Sequence, residues 1–249
     1  MTFDEIKLEG IKEPVRERVS PFLLALANSP GDIHSIYIVG SSLTSDYNEK
    51  KSDINSVIIL REFSFAFTRF LAGIGGKHKG KGLAPPLIMT PRYIERSLDA
   101  FPIEFFNFRL IHKPVYGEDI ISGLHIEDGY LRLQCEREIK AKLIGLRQGY
   151  ISSLGDRALI SAHLINSITG SIPMFRVIIH LLKKRVPIER HSVVVALKEV
   201  TGNGAGIFDT MLSLKAGELK PSKDGLDKIF EDYYQAIESL GRAVDELTP

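Results

Sequence analysis

The sequence predicts an α+β protein in two parts: a mixed sheet with flanking helices over residues 1–126, followed by an all-α helical bundle over 127–249. Three observations predict it. Short runs rich in Ile, Val and Tyr alternate with helix-spaced apolar residues through the first half, the pattern of helices packed on a mixed sheet. From "DGYLRLQCEREIKAKLIGLRQGYISS" onward no strand pattern recurs, and roughly 120 residues remain, a reasonable domain size. The 249 residues are 44% hydrophobic and 25% charged, the balance of a globular chain long enough for one large domain or two small ones.

The elements follow in order. In "EPVRERVSPFLLALANSPGD", Val15, Val19, Leu23, Leu24 and Leu26 recur at helical spacing, and a Ser-Pro-Gly-Asp turn ends the run. "IHSIYIVG" reads as a buried strand, and "INSVIILR" as a second. The polar "SSLTSDYNEKKSD" between them has room for a short helix. "FSFAFTRFLAGIG" has aromatic spacing suited to a helix; a Gly/Lys loop and a short strand "PLIMT" follow. "PRYIERSLDA" places proline at a first helical turn, and "IEFFNFRLIHK" reads as another strand. The second half divides into about five helical segments, with breaks near Gly155, Gly170, Pro187, Gly202 and Pro221.

Composition excludes several classes of function. A formal net charge of +1 argues against binding nucleic acid by bulk charge, although a local basic patch leaves nucleic acid open as a partner. A lone cysteine, Cys135, excludes an internal disulfide and a thiolate metal cluster. No apolar run approaches the length of a membrane helix, and the acidic, polar start "MTFDEIKLEG" is unlike a signal peptide. These features point to a reducing, cytoplasmic location with no membrane partner; a homodimer is left open.

The chemistry concentrates in "YIVGSSLTSDYNEKKSDINSVIIL", residues 37–60. A strand that ends in Gly40-Ser41-Ser42 and runs into a helix exposes backbone N–H groups at the start of that helix, a place suited to phosphate. Residues two apart on a strand face the same side, so Asp53 and Asn55 put two oxygen ligands on one face. If the two strands are neighbours, the phosphate cradle and the oxygen pair meet at one edge of the sheet. A phosphate site beside hard oxygen ligands calls for Mg²⁺ and a nucleoside triphosphate (NTP). Taken alone, Gly40-Ser41-Ser42 is more simply a plain turn, and Asp53 a cap beside a strand entrance. Their conjunction at this spacing, between two apolar strands, favours the chemical reading.

Gly40-Ser41, eleven intervening residues and then Asp53-Ile54-Asn55 resemble the signature of the nucleotidyltransferase superfamily, the group of DNA polymerase beta and the kanamycin-type antibiotic nucleotidyltransferases. The resemblance implies two Mg²⁺ ions that help move a nucleoside monophosphate from an NTP onto a hydroxyl acceptor. It also implies a third carboxylate on a later strand of the same sheet, and a C-terminal helical bundle closing over the acceptor. Glu104, an acid inside the apolar run "FPIEFFNF", is the candidate for that carboxylate, as ligand of the second metal or as acceptor of the hydroxyl proton. As a strand, this run would place Glu104 with Phe106 and Phe108 on one face. "VYGED", residues 115–119, is similar to a Tyr-Gly-acid turn that follows that strand in the antibiotic enzymes.

Asn55 departs from the pattern, which has an acid there. An amide carbonyl ligates without charge, as the Asn beside an Asp does for one Mg²⁺ of protein kinases. Three outcomes are consistent with the change: weaker metal binding, one tight metal, or nucleotide binding without catalysis as a sensor, scaffold or antitoxin-like partner.

Other motifs carry less. "GIGGKHKGKG" is not a P-loop, because His78 follows Lys77 and the preceding segment is helical; Lys77, Lys79 and Lys81 read as a solvated loop. Arg157 and His163 fit the loose Arg-x(4–6)-His pattern of HEPN ribonucleases, a short pattern that helical sequences meet by chance. Arg176 and His180 share a helix face. Glu136/Lys140 and Glu138/Lys142 read as i,i+4 pairs that support a surface helix.

Overall fold

In the computed structural model, residues 5–78, 80, 82–201 and 206–247 are described. The chain divides into two compact units, one of the residues through Ala100 with Phe105–His125, the other of Phe101–Glu104 with the residues from Ile126 onward.

The first unit opens with helix α1 (Glu13–Leu26), started by a proline in its first turn. Pro21 lies inside α1 and has no N–H to give to the preceding turn, while the Ser20 hydroxyl donates to Arg16 O at 2.7 Å. Val15, Val19, Phe22, Leu23 and Leu26 form its buried stripe. Strand β1 (Ile33–Val39) runs into a single 3-10 turn (Gly40–Leu43), and strand β2 (Asn55–Leu60) returns antiparallel to it. Helix α2 (Phe65–His78), short strand β3 (Leu87–Met89), helix α3 (Pro91–Glu95) and strand β4 (His112–Gly117) complete the unit, together with helix α4 (Pro102–Leu110) from Phe105 onward, its first residues being counted with the second unit. The sheet order is β3-β2-β1-β4, with β3 parallel to β2 and the other pairs antiparallel.

Alternation assigns the two faces of this sheet. Ile36, Ile38, Ile54, Ile58 and Leu60 share one hydrophobic cluster with the α1 stripe and with Phe67 and Leu71 of α2. Ser35, Tyr37 and Val39 point the other way, opposite Ile59, Val57 and Asn55.

The expected strand over "IEFFNFRLIHK" is corrected. Residues 102–110 are helix α4, and the strand begins only at His112. Ile103, Phe105 and Phe106 are all buried, and two adjacent buried residues do not fit a strand with one covered face. The helix carries its own punctuation: Pro102 at the start, Glu104 in the first turn and Arg109 in the last, each charge matched to the nearer end of the helix dipole. β-branched and aromatic content suggested a strand, but position within the segment decides for the helix. "VYGED" is corrected in part: Val115–Gly117 close β4, and the turn starts at Gly117 with φ +74°. Pro114 is tolerated inside β4 because β4 is an edge strand.

The second unit is helical throughout its described length. It holds α5 (Asp128–Ser152), α6 (Arg157–Ile168), α7 (Ser171–Leu181), α8 (Arg190–Thr201), α9 (Gly206–Ala216) and α10 (Lys223–Asp245), six helices where about five segments were expected. Gly202, one of the expected breaks, lies outside the described residues. Asp156 caps α6 by accepting from Leu159 N at 2.9 Å, and Ser222 caps α10 through Gly225 N at 3.2 Å. α5 packs on α6, α7 and α10. Tyr233 of α10 is fully buried; burial pushes its phenol up to about 12, and its hydroxyl pairs with Ser167 at 3.2 Å. Among the described residues no single helix is long and apolar enough to cross a membrane; α6 and α7 together reach that length but are bent by 46° at their junction.

Candidate functional site

The end of β1 and the start of β2 meet. Val39 pairs with Asn55, and a Cβ built on Gly40 would come within 3.9 Å of Asn55 Nδ2. Ile54, between the two polar residues, belongs to the hydrophobic cluster, so Asp53 and Asn55 both face away from it, and both are exposed. The juxtaposition expected of neighbouring strands is thus present for Gly40, Ser41, Asp53 and Asn55.

The turn differs in detail from the expectation. It is one 3-10 turn of four residues, so it brings little helix dipole, and its own i→i+3 bonds leave few N–H groups for a ligand. Gly40 N already donates to Ile111 O at 3.0 Å and is not available to a ligand. Ser42 is buried, with its hydroxyl turned back to Val39 O at 3.5 Å. Ser41 is the partly exposed hydroxyl of the turn. Gly40 has φ +77°, a conformation that a side chain would strain at the point of contact with Asn55.

Two neighbours of this edge were not legible in the sequence. Lys12, at the cap of α1, donates from Nζ to Thr44 O at 2.6 Å and brings a cation to the turn from 32 residues away. Arg18, also on α1, holds the following loop through Tyr47 Oη and Glu49 O, each at 3.0 Å. His112 is the second surprise. It opens β4 directly opposite Val39, so it stands at the same end of the sheet as Asn55, on the other side of β1.

His112 is held by a local network. Its Nδ1 lies 3.1 Å from Arg109 O, which can only accept, so Nδ1 carries the hydrogen. Its Nε2 lies 3.2 Å from Asp119 Oδ2 and 3.3 Å from Ser122 Oγ, and Ser122 Oγ also donates to Asp119. Ser, His and Asp here do not form a nucleophilic triad, because acid and hydroxyl approach the same ring nitrogen instead of opposite ones. Tyr37 stacks edge-on to the imidazole at 5.8 Å, donates to Glu118 O and accepts from Ile120 N. The network fastens the loop after β4 onto the sheet.

Partial burial works to raise the Asp119 carboxyl, but hydrogen bonds from Ser122 and His112 outweigh it and hold the group below its usual range. A carboxyl lowered in the folded state contributes stability that is complete above its unfolded value, about 3.9, and is lost as pH falls through the folded one. Urea midpoints at pH 7 and pH 3 are therefore expected to differ more for the wild type than for Asp119→Asn.

Glu104 is not on the sheet. It sits in the first turn of α4 and accepts from Gln134 Nε2 at 3.1 Å; the same Gln134 nitrogen donates to Glu138 at 2.9 Å, and its carbonyl caps Ile103 N. The strand placement on which Glu104 entered as ligand or base is corrected, and Glu104 takes no part in the proposal below. Neither later strand, "LIM" in β3 or "HKPVYG" in β4, carries a carboxylate. Among the described residues no group of three or more His, Cys, Asp or Glu is arranged to hold a metal.

The remaining motifs resolve into structure. Glu138 does not pair with Lys142: it turns to Gln134, half-buried, and desolvation raises its carboxyl, while Lys142 donates to Ser167 O. Glu136 and Lys140 do pair. Arg157 is exposed and donates to Pro221 O, whereas His163 lies against Gly149; six positions on α6 set them about 120° apart around the axis. Arg176 is buried and reaches Ile188 O, while His180 joins Asp128 at 2.9 Å. Lys79 and Lys81 lie outside the described residues, and the side chain of Lys77 does too.

This architecture, a mixed four-stranded sheet with flanking helices and a helical C-terminal region, is a nucleotidyltransferase-type α+β fold. The chain is similar over 99% of its length, and over 100% of the other chain, to the crystal structure of spectinomycin adenyltransferase AAD(9) from Enterococcus faecialis with ATP and spectinomycin, with a TM-score of 0.52 and 10% identity. No protein-family model matches the sequence, and no curated protein matches it.

Proposed function

We propose that the chain binds an NTP with Mg²⁺ at the edge where Gly40 meets Asn55, and transfers the nucleoside monophosphate to a hydroxyl acceptor. The observation that carries this reading is the pairing of Val39 with Asn55, which sets the small-residue turn beside two exposed oxygen ligands. Ser41, through its hydroxyl and its backbone N–H, holds phosphate oxygens, with Lys12 as the nearby cation. The donor set fits one Mg²⁺, held by Asp53 and the Asn55 carbonyl together with triphosphate oxygens, since Mg²⁺ usually takes one or two carboxylates plus substrate phosphates. Bound there, the ion would neutralise phosphate charge. The acceptor oxygen forms a bond to the α-phosphorus, the bond to the bridging oxygen breaks, pyrophosphate leaves, and the hydroxyl proton passes to solvent or phosphate.

A second reading, nucleotide binding without turnover, is favoured by one specific observation: the strands carry no third carboxylate, and Asn55 adds no charge. The two readings part in a single assay. The purified chain is given Mg²⁺, labelled ATP or CTP, and hydroxyl-rich acceptors that include spectinomycin. Pyrophosphate release that depends on the acceptor supports transfer; saturable nucleotide binding without it supports the second reading; absence of binding removes both. Asn55→Asp is expected to lower the Mg²⁺ concentration needed for half-maximal nucleotide binding by about tenfold, because it adds a full charge next to the ion.

A further inference from the structure

The face of the sheet opposite Asp53 and Asn55 borders a cavity of about 560 Å³, within the range of small-molecule sites. Its walls come from α1, the sheet, α2 and the segment before β3, and none of the described residues lining it is charged. The part of the wall formed by α2 is unusual. Thr68, Leu71, Ala72, Gly75 and Gly76 recur at helical spacing, the stripe that a helix on a sheet normally fills with large apolar side chains. A Cβ built on Gly75 or Gly76 meets nothing within 4 Å, so neither close packing nor a tight approach explains these glycines, and glycine is a poor helix former. They leave space. Two hydroxyls face an otherwise apolar surround: Ser56 is 7% exposed, and Thr68 Oγ1 is buried with no hydrogen-bond partner among the described residues. A buried hydroxyl without a partner is costly unless a ligand or water supplies one.

We propose that this cavity binds a neutral, mostly apolar small molecule bearing a single hydrogen-bonding group. Among the described residues the lining carries no charge and is mainly apolar, which disfavours phosphates, carboxylates and ammonium groups as the part of the ligand held there; the volume suits a molecule of drug-like size. The hydrogen-bonding group meets Thr68 Oγ1 or Ser56 Oγ, and the apolar remainder occupies the space left by Ala72, Gly75 and Gly76. The site is separate from the nucleotide edge, although β2 serves both: Asn55 faces one side and its neighbour Ser56 the other. It does not rest on the nucleotide reading.

The probe is N-phenyl-1-naphthylamine, a neutral aromatic with one N–H group and strong fluorescence in apolar surroundings. Titrated into the full chain, it is expected to bind saturably at one equivalent, to be displaced by 1-decanol, and to stay bound when Mg²⁺ and ATP are added. Gly76→Leu fills the cavity and improves the helix, so it is expected to weaken probe binding at least tenfold with an unchanged or higher melting temperature. Ala72→Ile fills the same wall and serves if the first variant does not fold. Non-saturable partitioning, more than one equivalent, or undiminished binding to a folded filled variant overturns the proposal.

Discussion

Asp53→Ala is expected to weaken Mg²⁺-dependent nucleotide binding by about tenfold to a hundredfold, and to lower any transfer rate by roughly 10²–10³. The reason is its position. Asp53 is the exposed carboxylate that alternation with buried Ile54 sets on the same side as Asn55, and Asn55 itself offers only a dipole. A divalent ion between the chain and a triphosphate needs charge as well as oxygen, and no strand residue in β3 or β4 replaces what Asp53 supplies. Because Asp53 is exposed, the substitution should leave stability within about 0.5 kcal/mol. Calorimetric titration with Mg²⁺ and a non-hydrolysable NTP reads the first effect, and urea denaturation the second. Asp53→Asn is the sharper form, since it keeps the shape and removes only the charge. Undiminished affinity in both variants would mean that the nucleotide, if bound, is held elsewhere.

Gly117→Ala is expected to give the largest loss of stability from a single methyl group. Gly117 closes β4 with φ +74°, and a Cβ there would stand 2.0 Å from His34 O and 2.9 Å from Ser35 Cα. Both contacts are backbone of the neighbouring β1, which cannot swing away as a side chain can. The left-handed conformation costs about 1–2 kcal/mol for an L residue, and the overpacking about 1–3 more. The total, roughly 2–5 kcal/mol, is a large fraction of the stability of an ordinary domain. Gly10→Ala separates the two terms, because Gly10 has φ +77° with nothing within 4 Å of an added Cβ. It is expected to lose only the conformational part. Urea midpoints for the two variants should therefore differ clearly, and equal losses would mean that β4 shifts to relieve the contact.

How far the sequence could be read depended on the range of the interactions involved. The strands β1 and β2 were legible because both of their faces are buried, so apolar character runs unbroken through "IYIV" and "VIIL". Asp53 and Asn55 stood out for the opposite reason: they are polar residues two apart at the mouth of such a run, and both are exposed. Helix α4 was misread because Phe, Ile and Leu suggest strand by type, while Pro102, Glu104 and Arg109 mark helix by position; the positional signal was there to be used. The half-burial of Glu138 had no such signal, since an i,i+4 acid and base look the same whether or not Gln134 takes the acid.

Taken by itself, the sequence determined the fold class, the succession of β1, turn and β2, and the exposed pair Asp53 and Asn55 near a small-residue turn. These follow from periodicity and from residues close together in the chain, where side-chain alternation and turn chemistry act locally. Only the tertiary structure decided that Lys12 reaches the turn, that His112 shares its end of the sheet, that Glu104 belongs to a helix bonded to Gln134, and that α2 leaves a cavity behind β2. Each of these depends on which distant segments lie side by side. That is fixed by burial and strand pairing summed over the whole unit, and no local stretch of sequence contains it.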